Sequence, residues 1–539
     1  MRRYRPLSAV VFAVAVSALV GGLFGRQALA TDEAVPDHYK TFAAALAAVQ
    51  AHYVEDIDAD RLVYGAIRGM LATLDPHSSF FDPREYAQMR ERQEGRYYGI
   101  GVSIVAIDGD ITAVQVFEGS PAYRAGMRRG DAIARIEEAD AKGWTTEQAM
   151  QRLRGQKGTP VEIQIRRAGY ADLIPIHLTR DEVSMTTVPA AFMVDGTTGY
   201  VRMQDFAENT DRDLKRALRD LSSKGMSQLL LDLRNNPGGP LDQAIAVVNE
   251  FVPQGRMIVY TRGRIRNSDQ DYRAADDPEF GDVPVVVLAN RSSASASEIV
   301  TGALQDHDRA YIVGETTFGK ALVQSVYRIS GGAGLALTTA HYYTPSGRLI
   351  QRPWDETFDE YLQYTQRDQA ADTPHDASDL KYTDAGRPVY SGGGVEPDTR
   401  VNGPIDGFNP TRFGRLLHSR QEFATFAQRF TAVGDTRIAQ PATGRQFVAR
   451  NFEVTGEMVQ AFRQQLVDER LQINDAAMAT DEAFIRAELR YEIDLALFGV
   501  AEARRRMLTV DPQAQAALTM FGEARRLAGL SRSSSRAAN

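Results

Sequence analysis

Apolar residues recur at helical spacing near both ends of the chain. Two stripes near the N-terminus each occupy one face of a helix: Phe42, Leu46, Val49 and Tyr53, then Val63, Ile67, Met70 and Leu74. Two more lie near the C-terminus: Met458, Phe462 and Leu466, then Ile485, Leu489, Ile493 and Leu497. Because such stripes usually pack in a core of their own chain, we predict helical regions over residues 36–92 and 408–530.

Between these regions the apolar residues form short continuous runs. Three of the runs predict buried strands, at residues 229–233, 285–288 and 310–313. Helical segments alternate with them, for example at residues 297–305. This order of elements favours an α/β core, in which a mixed sheet is flanked by helices, and we place the core over residues 184–402.

Composition narrows the function without identifying it. The 539 residues suffice for about three or four domains, and their 43% hydrophobic content suits globular cores. A net charge of −8, with no basic block beyond the first residues, argues against a nucleic-acid partner. The chain has no cysteine, which excludes thiol catalysis, disulfides and cysteine-bound zinc. The sequence H-E-x-x-H is also missing, so zinc proteolysis has no support.

The start of the chain predicts export. Basic residues at positions 2, 3 and 5 precede an almost wholly apolar run from Leu7 to Phe24, and Ala28-Leu29-Ala30 is similar to a signal-peptide cleavage site. We assign residues 1–30 to a cleaved signal peptide. An uncleaved anchor in the cytoplasmic membrane is the alternative, because the apolar run is long enough to span. In a bacterium with two membranes, the rest of the chain is expected in the periplasm.

The main chemical signal is a serine followed at a distance by a lysine. Ser295 lies in a small-residue turn before a helix, where free N–H groups and the helix dipole favour a developing oxyanion. Lys320 lies among apolar residues, and burial lowers the pKa of a lysine so that it can act as a base. Gln324 is neutral and can orient this amine without holding it protonated. The pattern indicates acyl transfer, although a flexible turn and a surface lysine are the more ordinary explanation of this spacing alone.

A second segment suits the binding of a peptide end. Its glycines allow consecutive N–H groups to converge on a terminal carboxylate, and the strand that follows offers an edge to an extended peptide. The residues of this segment are Gly99, Ile100, Gly101 and Val102. With its flanking motifs, the region 96–181 resembles a PDZ domain, whereas a plain hairpin would explain a lone G-x-G.

The segments around Ser295 and Lys320 resemble the carboxyl-terminal processing peptidases, which are serine endopeptidases with a Ser/Lys dyad. The letters S-A-S-A-S-E surround Ser295, F-G-K ends at Lys320, and 25 positions separate the two residues, as in that family. Further motifs extend the resemblance from about Phe42 to Thr399. Pro240 and Ala321 depart from the family pattern, in which leucine and glycine are more usual.

The resemblance assigns a role to each matched residue. Ser295 is the nucleophile, Lys320 is the general base, and Gln324 positions the base. The oxyanion N–H groups would come from two places: Ala296, and either Gly238 or Gly239. The resemblance implies no cofactor.

The expected function is that of an exported serine endopeptidase which cleaves protein substrates near their C-termini, after the PDZ domain has bound the C-terminus. An adaptor protein that delivers substrates and a homo-oligomer formed through the C-terminal helices are compatible with the resemblance. The tail 531–539 is expected to be disordered. The alternatives are a non-catalytic PDZ scaffold and a ligand-binding protein on the same core fold, and both should lose the dyad.

Overall fold

The computed structural model describes residues 35–167, 170–354, 361, 363–366, 375–432 and 448–537. The chain divides into two compact units. One contains the chain up to Asp82 together with Val326–Leu337, and the other contains Pro83–Ser325 and the chain from Thr338 onward. The export signal predicted for residues 1–30 lies outside the described residues.

The first unit contains two helices and a short strand: α1 (Val35–His52), α2 (Ala59–Leu71) and β1 (Ser79–Phe81). β1 pairs antiparallel with residues 334–336, and a small core forms around Leu71, Phe80 and Ala333.

The apolar stripes of α1 and α2 are not buried, and in this respect the prediction of a core is wrong. Five of the eight stripe residues are exposed in the single chain: Phe42, Val49, Tyr53, Met70 and Leu74. Helical spacing shows which residues share a face, but it does not show whether another element covers that face. Between residue 35 and the end of this unit, the described elements leave the exposed stripe residues uncovered.

The PDZ-like region and the helix before it follow. Their elements are α3 (Pro83–Glu94), β2 (Arg96–Gly99), β3 (Val102–Ile107), β4 (Asp110–Val116), α4 (Pro121–Arg124), β5 (Ala132–Ile136), β6 (Ala139–Asp140), α5 (Thr146–Leu153), β7 (Pro160–Arg166), β8 (Ile174–Thr179) and β9 (Asp181–Ser184). Strands β3, β4, β5, β7 and β8 form a sheet in that order, with β6 beside β5, and β2 pairs with β9. Helix α5 begins with a capping box between Thr145 and Gln148, and its apolar face joins the core of the sheet.

The next region contains the main sheet. Its elements are β10 (Ala190–Met193), β11 (Thr198–Arg202), α6 (Thr210–Ser223), β12 (Gln228–Asp232), α7 (Leu241–Asn249), β13 (Met257–Arg262), β14 (Gln270–Arg273), β15 (Val285–Ala289), α8 (Ala296–Asp306), β16 (Ala310–Gly314), β17 (Leu322–Arg328), β18 (Gly334–Tyr343), β19 (Leu380–Tyr382), β20 (Pro388–Tyr390) and β21 (Thr399–Arg400). The strand order is β10-β11-β12-β15-β16-β21, in which β10 is antiparallel to β11 and the other neighbours are parallel.

Both faces of this sheet are covered, which explains why its central strands are apolar throughout. Helices α6, α7 and α8 pack on one face. The other face is covered by residues of the C-terminal region, among them Leu508, Ala517 and Phe521. Beside the main sheet, β13 pairs antiparallel with β14 and with residues 341–343 of β18.

The C-terminal region is helical. Its helices are α9 (Arg412–Ser419), α10 (Glu422–Ala432), α11 (Gly456–Asp468), α12 (Asp475–Thr480), α13 (Glu482–Phe498), α14 (Val500–Leu508), α15 (Pro512–Thr519) and α16 (Phe521–Ala537). The stripes that include Phe462 and Leu489 lie in a core within the chain. Helix α16 extends through residues 531–537, where the sequence predicts disorder.

The predicted fold class is confirmed: a mixed α/β core lies beside a PDZ-like sheet, and helical segments lie at both ends of the described chain. Within the part of the chain that the structure describes, no helix combines the length and the apolar character needed to cross a bilayer.

Candidate active site

Ser295 occupies the turn between β15 and α8. It directly precedes Ala296, the first residue of α8, and has φ 53° and ψ −115°. Non-glycine residues seldom adopt this conformation, which costs on the order of 1–3 kcal/mol and persists only where the surrounding structure enforces it. The residue is half-buried. Other parts of the chain must therefore hold this turn in place.

Glu298 supplies part of this support from the first turn of α8. Its buried carboxylate accepts hydrogen bonds through Oε2 from the backbone N–H groups of Ser295 and Lys320, both at 2.8 Å. Through Oε1 it accepts from the N–H of Gly319 at 2.6 Å and from the hydroxyl of Thr317 at 2.5 Å. Burial raises the pKa of Glu298, and these donors oppose the rise. One carboxylate thus joins the segment that carries Ser295 to the segment that carries Lys320.

Tyr342 joins the same two segments through their carbonyl groups. The hydroxyl oxygen of this buried tyrosine lies 2.7 Å from the carbonyl oxygen of Lys320 and 3.1 Å from that of Ser295. Burial raises the pKa of Tyr342 well above its usual value, and the negative charge of Glu298 adds to the rise. The hydroxyl therefore stays protonated and acts as a donor.

The side chain of Lys320 is directed by a neutral partner. Its Nζ donates to Oε1 of Gln324 at 3.0 Å, and both residues are half-buried. The amide oxygen accepts a hydrogen bond from the amine without the full negative charge with which a carboxylate would hold it protonated. The structure thus pairs the two residues as the sequence predicts.

The glycine turn after β12 lies directly beside Ser295. Gly238 has φ +92°, and a methyl group on it would lie 2.8 Å from Cβ of Ser295 and 2.7 Å from the backbone N of Ala296, so only glycine fits. The Gly238 N–H donates to the side chain of Asn236 at 2.9 Å. No described residue accepts from the N–H groups of Gly239 or Ala296. Of the two glycines, Gly239 has the available donor.

Buried charges anchor the end of β12 before this turn. Nη2 of Arg234 lies 2.7 Å from Oδ2 of Asp232, and Nη1 lies 2.7 Å from Oδ2 of Asp511. Nη1 also donates to the side chain of Gln513 at 3.0 Å. All four side chains are buried. Because Asp511 and Gln513 belong to the C-terminal region, that region helps to support the glycine turn.

The predicted peptide-binding segment borders a cavity of about 320 Å³ between β3 and α5. Apolar side chains that line it include Ile100, Val102, Ile104, Phe117, Met150 and Leu153. Gly101 has φ +86°, and a methyl group on it would lie 2.0 Å from Cβ of Ser120, so this loop requires glycine. In the same lining, burial raises the pKa of Tyr97 to about 12.

The structure gathers the residues predicted for catalysis and separates them from those predicted for peptide binding. Gly238 and Ala296 adjoin Ser295, and Glu298 ties Lys320 to them. Sequence reasoning missed Glu298 and Tyr342. The capping-box spacing, a serine followed three residues later by a glutamate, is a signal that would have indicated Glu298. Tyr342 lies on a separate strand, and no local pattern indicates its contact.

The fold and this geometry together define a protease core joined to a PDZ domain. Models of known families match the chain in three places: "Peptidase family S41" at residues 197–355, "PDZ domain" at residues 88–166, and "Activating protease CtpB N-terminal domain" at residues 25–84. A carboxy-terminal-processing protease of Bartonella bacilliformis is 41% identical over 311 residues, which cover 56% of this chain and 70% of that protein.

A carboxyl-terminal-processing protease of Synechocystis is 38% identical over 298 residues, which cover 54% of this chain and 68% of that protein. The chain therefore belongs to the carboxy-terminal processing protease family, a family of serine proteases, and the resemblance found in the sequence is confirmed. Among solved structures, the photosystem II D1 C-terminal processing protease matches with 28% identity and a TM-score of 0.36, over 68% of this chain and 92% of that one.

Proposed function

We propose that this protein is an exported serine endopeptidase that cleaves proteins near their C-termini, with Ser295 as nucleophile and Lys320 as general base. The supporting observation is a shared carboxylate oxygen. The N–H groups of both residues donate to Oε2 of Glu298 at 2.8 Å, so two residues far apart in sequence become neighbours.

Acylation follows from this arrangement. The neutral amine of Lys320 takes the proton from Oγ of Ser295 as that oxygen bonds to the scissile carbonyl carbon. The N–H groups of Ala296 and Gly239 stabilise the negative charge on the carbonyl oxygen. Lys320 then gives the proton to the leaving amine, the peptide C–N bond breaks, and an ester to Ser295 remains.

In deacylation, water is the nucleophile and Oγ of Ser295 is the leaving group. Lys320 takes a proton from a water molecule whose oxygen attacks the ester carbon, and it returns that proton to Oγ of Ser295 as the ester C–O bond breaks. Gln324 keeps the amine directed in both halves of the reaction. The products are two peptides, one with a new carboxylate and one with a new amine.

The PDZ groove selects the substrate. An extended C-terminus adds as a strand beside β3, its carboxylate faces the N–H groups of residues 99–102, and its apolar side chains enter the cavity. We place this activity in the periplasm, after export by residues 1–30, with or without an adaptor protein that delivers substrates.

A homo-oligomer formed through the C-terminal helices is part of the same proposal. Since the apolar stripes of these helices are buried within the chain, the contact would use their outer faces, where Leu416, Val467 and Val510 are exposed. Light scattering on the chain without its signal measures the mass, and a monomer would contradict this part.

The central test compares Ser295→Ala, Lys320→Ala and the parent on a protein with an apolar C-terminus. We expect both variants to lose cleavage by about 1,000-fold or more, because each removes one partner of the proton transfer. Lys224→Ala is the matched control, since Lys224 is an exposed lysine paired only with Asp220 on the surface. Mass spectrometry of the products locates the cut.

Two outcomes would overturn the proposal. Cleavage by Lys320→Ala at the parental rate would contradict the assigned base. A parent that binds C-terminal peptides but cleaves nothing and forms no adduct with a fluorophosphonate at Ser295 would instead support a PDZ scaffold.

A further inference from the structure

We propose that Tyr342 is a positioning residue for the dyad: its hydroxyl fixes the main chains of Ser295 and Lys320 relative to each other and thereby sets the distance from amine to nucleophile. This inference rests on the proposed function and deepens it. It adds a residue from β18, which lies outside the two segments that carry Ser295 and Lys320.

Tyr342 is attached to the lysine segment at two points. Its backbone N–H donates to the carbonyl of Ala321 at 3.0 Å, and its hydroxyl lies 2.7 Å from the carbonyl oxygen of Lys320. The same hydroxyl lies 3.1 Å from the carbonyl oxygen of Ser295. Because a hydroxyl has one hydrogen, the two carbonyls share it in a three-centre bond.

Glu298 and Tyr342 contact the two peptide groups that flank each dyad residue. Glu298 accepts from the N–H groups of Ser295 and Lys320, and Tyr342 donates toward their carbonyl groups. Each dyad residue is therefore held before and after its Cα atom. This matters most at Ser295, whose backbone conformation is one that an isolated turn would leave.

Because Tyr342 is buried, no other donor can easily replace its hydroxyl. The residue is 1% exposed, so water cannot replace the hydroxyl as donor without a cavity. Removing only the oxygen leaves the ring packed and the two carbonyls without this partner. A shift of about 1 Å between nucleophile and base is enough to lower the rate about 100-fold.

The test is Tyr342→Phe in the full mature chain, with Tyr311→Phe as control. Tyr311 also lies in the protease core, and its hydroxyl lies 3.0 Å from that of Thr399. We expect Tyr342→Phe to lower kcat by about 10- to 100-fold with KM and PDZ peptide affinity unchanged, and Tyr311→Phe to keep the parental kcat. Equal kcat values for parent and Tyr342→Phe would overturn the proposal.

A second measurement separates positioning from general destabilisation. If Tyr342 acts through the lysine, adding Tyr342→Phe to Lys320→Ala should not lower kcat any further. For the same reason, the combined effect of Tyr342→Phe and Gln324→Ala on the activation free energy should be smaller than the sum of their separate effects. Full additivity with Gln324→Ala would overturn the proposal. If Lys320→Ala itself retains parental activity, the proposed function fails. If Lys320→Ala is inactive while Tyr342→Phe is normal, only this inference fails.

Discussion

The turn that carries Ser295 and the loop of residues 99–102 are both short and rich in small residues, but they are held in different ways. Two polar side chains hold the turn that carries Ser295: the Glu298 carboxylate accepts from the Ser295 N–H, and the Tyr342 hydroxyl lies within hydrogen-bond distance of the Ser295 carbonyl. Backbone groups hold the peptide loop: the N–H groups of Phe117 and Ala122 donate to the carbonyls of Gly101 and Ile100. The catalytic turn should therefore be sensitive to the loss of polar atoms, and the peptide loop to the addition of any atom.

The largest effect is expected from Glu298→Ala. The substitution leaves four buried donors without their acceptor, and each costs about 1–3 kcal/mol unless the structure relaxes. We expect the free energy of unfolding to fall by about 3 kcal/mol or more, with loss of cleavage. Urea denaturation measures the first and a peptide assay the second.

Glu279→Ala is the matched control for Glu298→Ala. Glu279 is paired with Arg219 on the surface, where such pairs contribute about 1 kcal/mol or less. Equal destabilisation by the two substitutions would contradict the conclusion that the buried Glu298 carboxylate stabilises the turn that carries Ser295.

The next effect is expected from Gly101→Ala in the peptide loop. The added methyl would lie 2.0 Å from Cβ of Ser120 at a φ of +86°, so the loop must move. We expect at least about a 10-fold loss of affinity for a peptide with a free C-terminus, measured by fluorescence anisotropy. Gly119→Ala shares the positive φ but has open space around it, and should lose much less.

A smaller effect is expected from pH. Burial raises the pKa of Asp205 to about 6, against the N–H of Phe206 and the charge of Arg92. The folded state therefore binds more protons than the unfolded state between pH 4 and 6, and stability falls as pH rises through that window. We expect a fall of about 1–2 kcal/mol after allowance for partial exposure, and Asp205→Asn should remove it.

The titration of Asp205 near the turn that carries Ser295 differs from that of Tyr97 in the peptide groove. Phe206 next to Asp205 donates its N–H to the carbonyl of Gly238 at 3.2 Å, so the titrating group lies near the catalytic turn. The urea midpoints of the parent and of Asp205→Asn, measured from pH 4 to 7, test whether Asp205 causes the expected change of stability with pH. In the groove, burial raises the pKa of Tyr97 to about 12. Tyr97 should therefore stay protonated between pH 5 and 8, and the effect of Tyr97→Phe on peptide affinity should be the same throughout that range. An effect that varies with pH between 5 and 8 would contradict this.

The sequence predicts those parts of this molecule whose cause is local. Runs such as 285–288 predict buried strands because two covered faces require apolar residues throughout. The loop 99–102 is predictable because glycine alone permits its backbone. The roles proposed for Ser295 and Lys320 come from the resemblance, and the structure adds the hydrogen bonds from both backbone N–H groups to Glu298.

What could not be predicted depends on contacts between distant segments. The N-terminal stripe around Phe42 has the spacing of a core helix, but no element among the described residues of its unit covers it. Tyr342 carries no local mark of its contact with Ser295. Glu298 is the intermediate case, since the capping-box spacing was visible, but the sequence did not show that its carboxylate also reaches Lys320.

The burial of Arg234 limits how short an active form of this protein can be. Its guanidinium is compensated by Asp232 within the strand and by Asp511 more than 250 positions later. A fragment that stops soon after the last strand of the main sheet would retain Ser295 and Lys320, yet it would lose Asp511, one of the two carboxylates that form an ion pair with the buried Arg234. Such a truncation, by a protease or a premature stop codon, is therefore expected to abolish cleavage although Ser295, Lys320 and Gln324 remain.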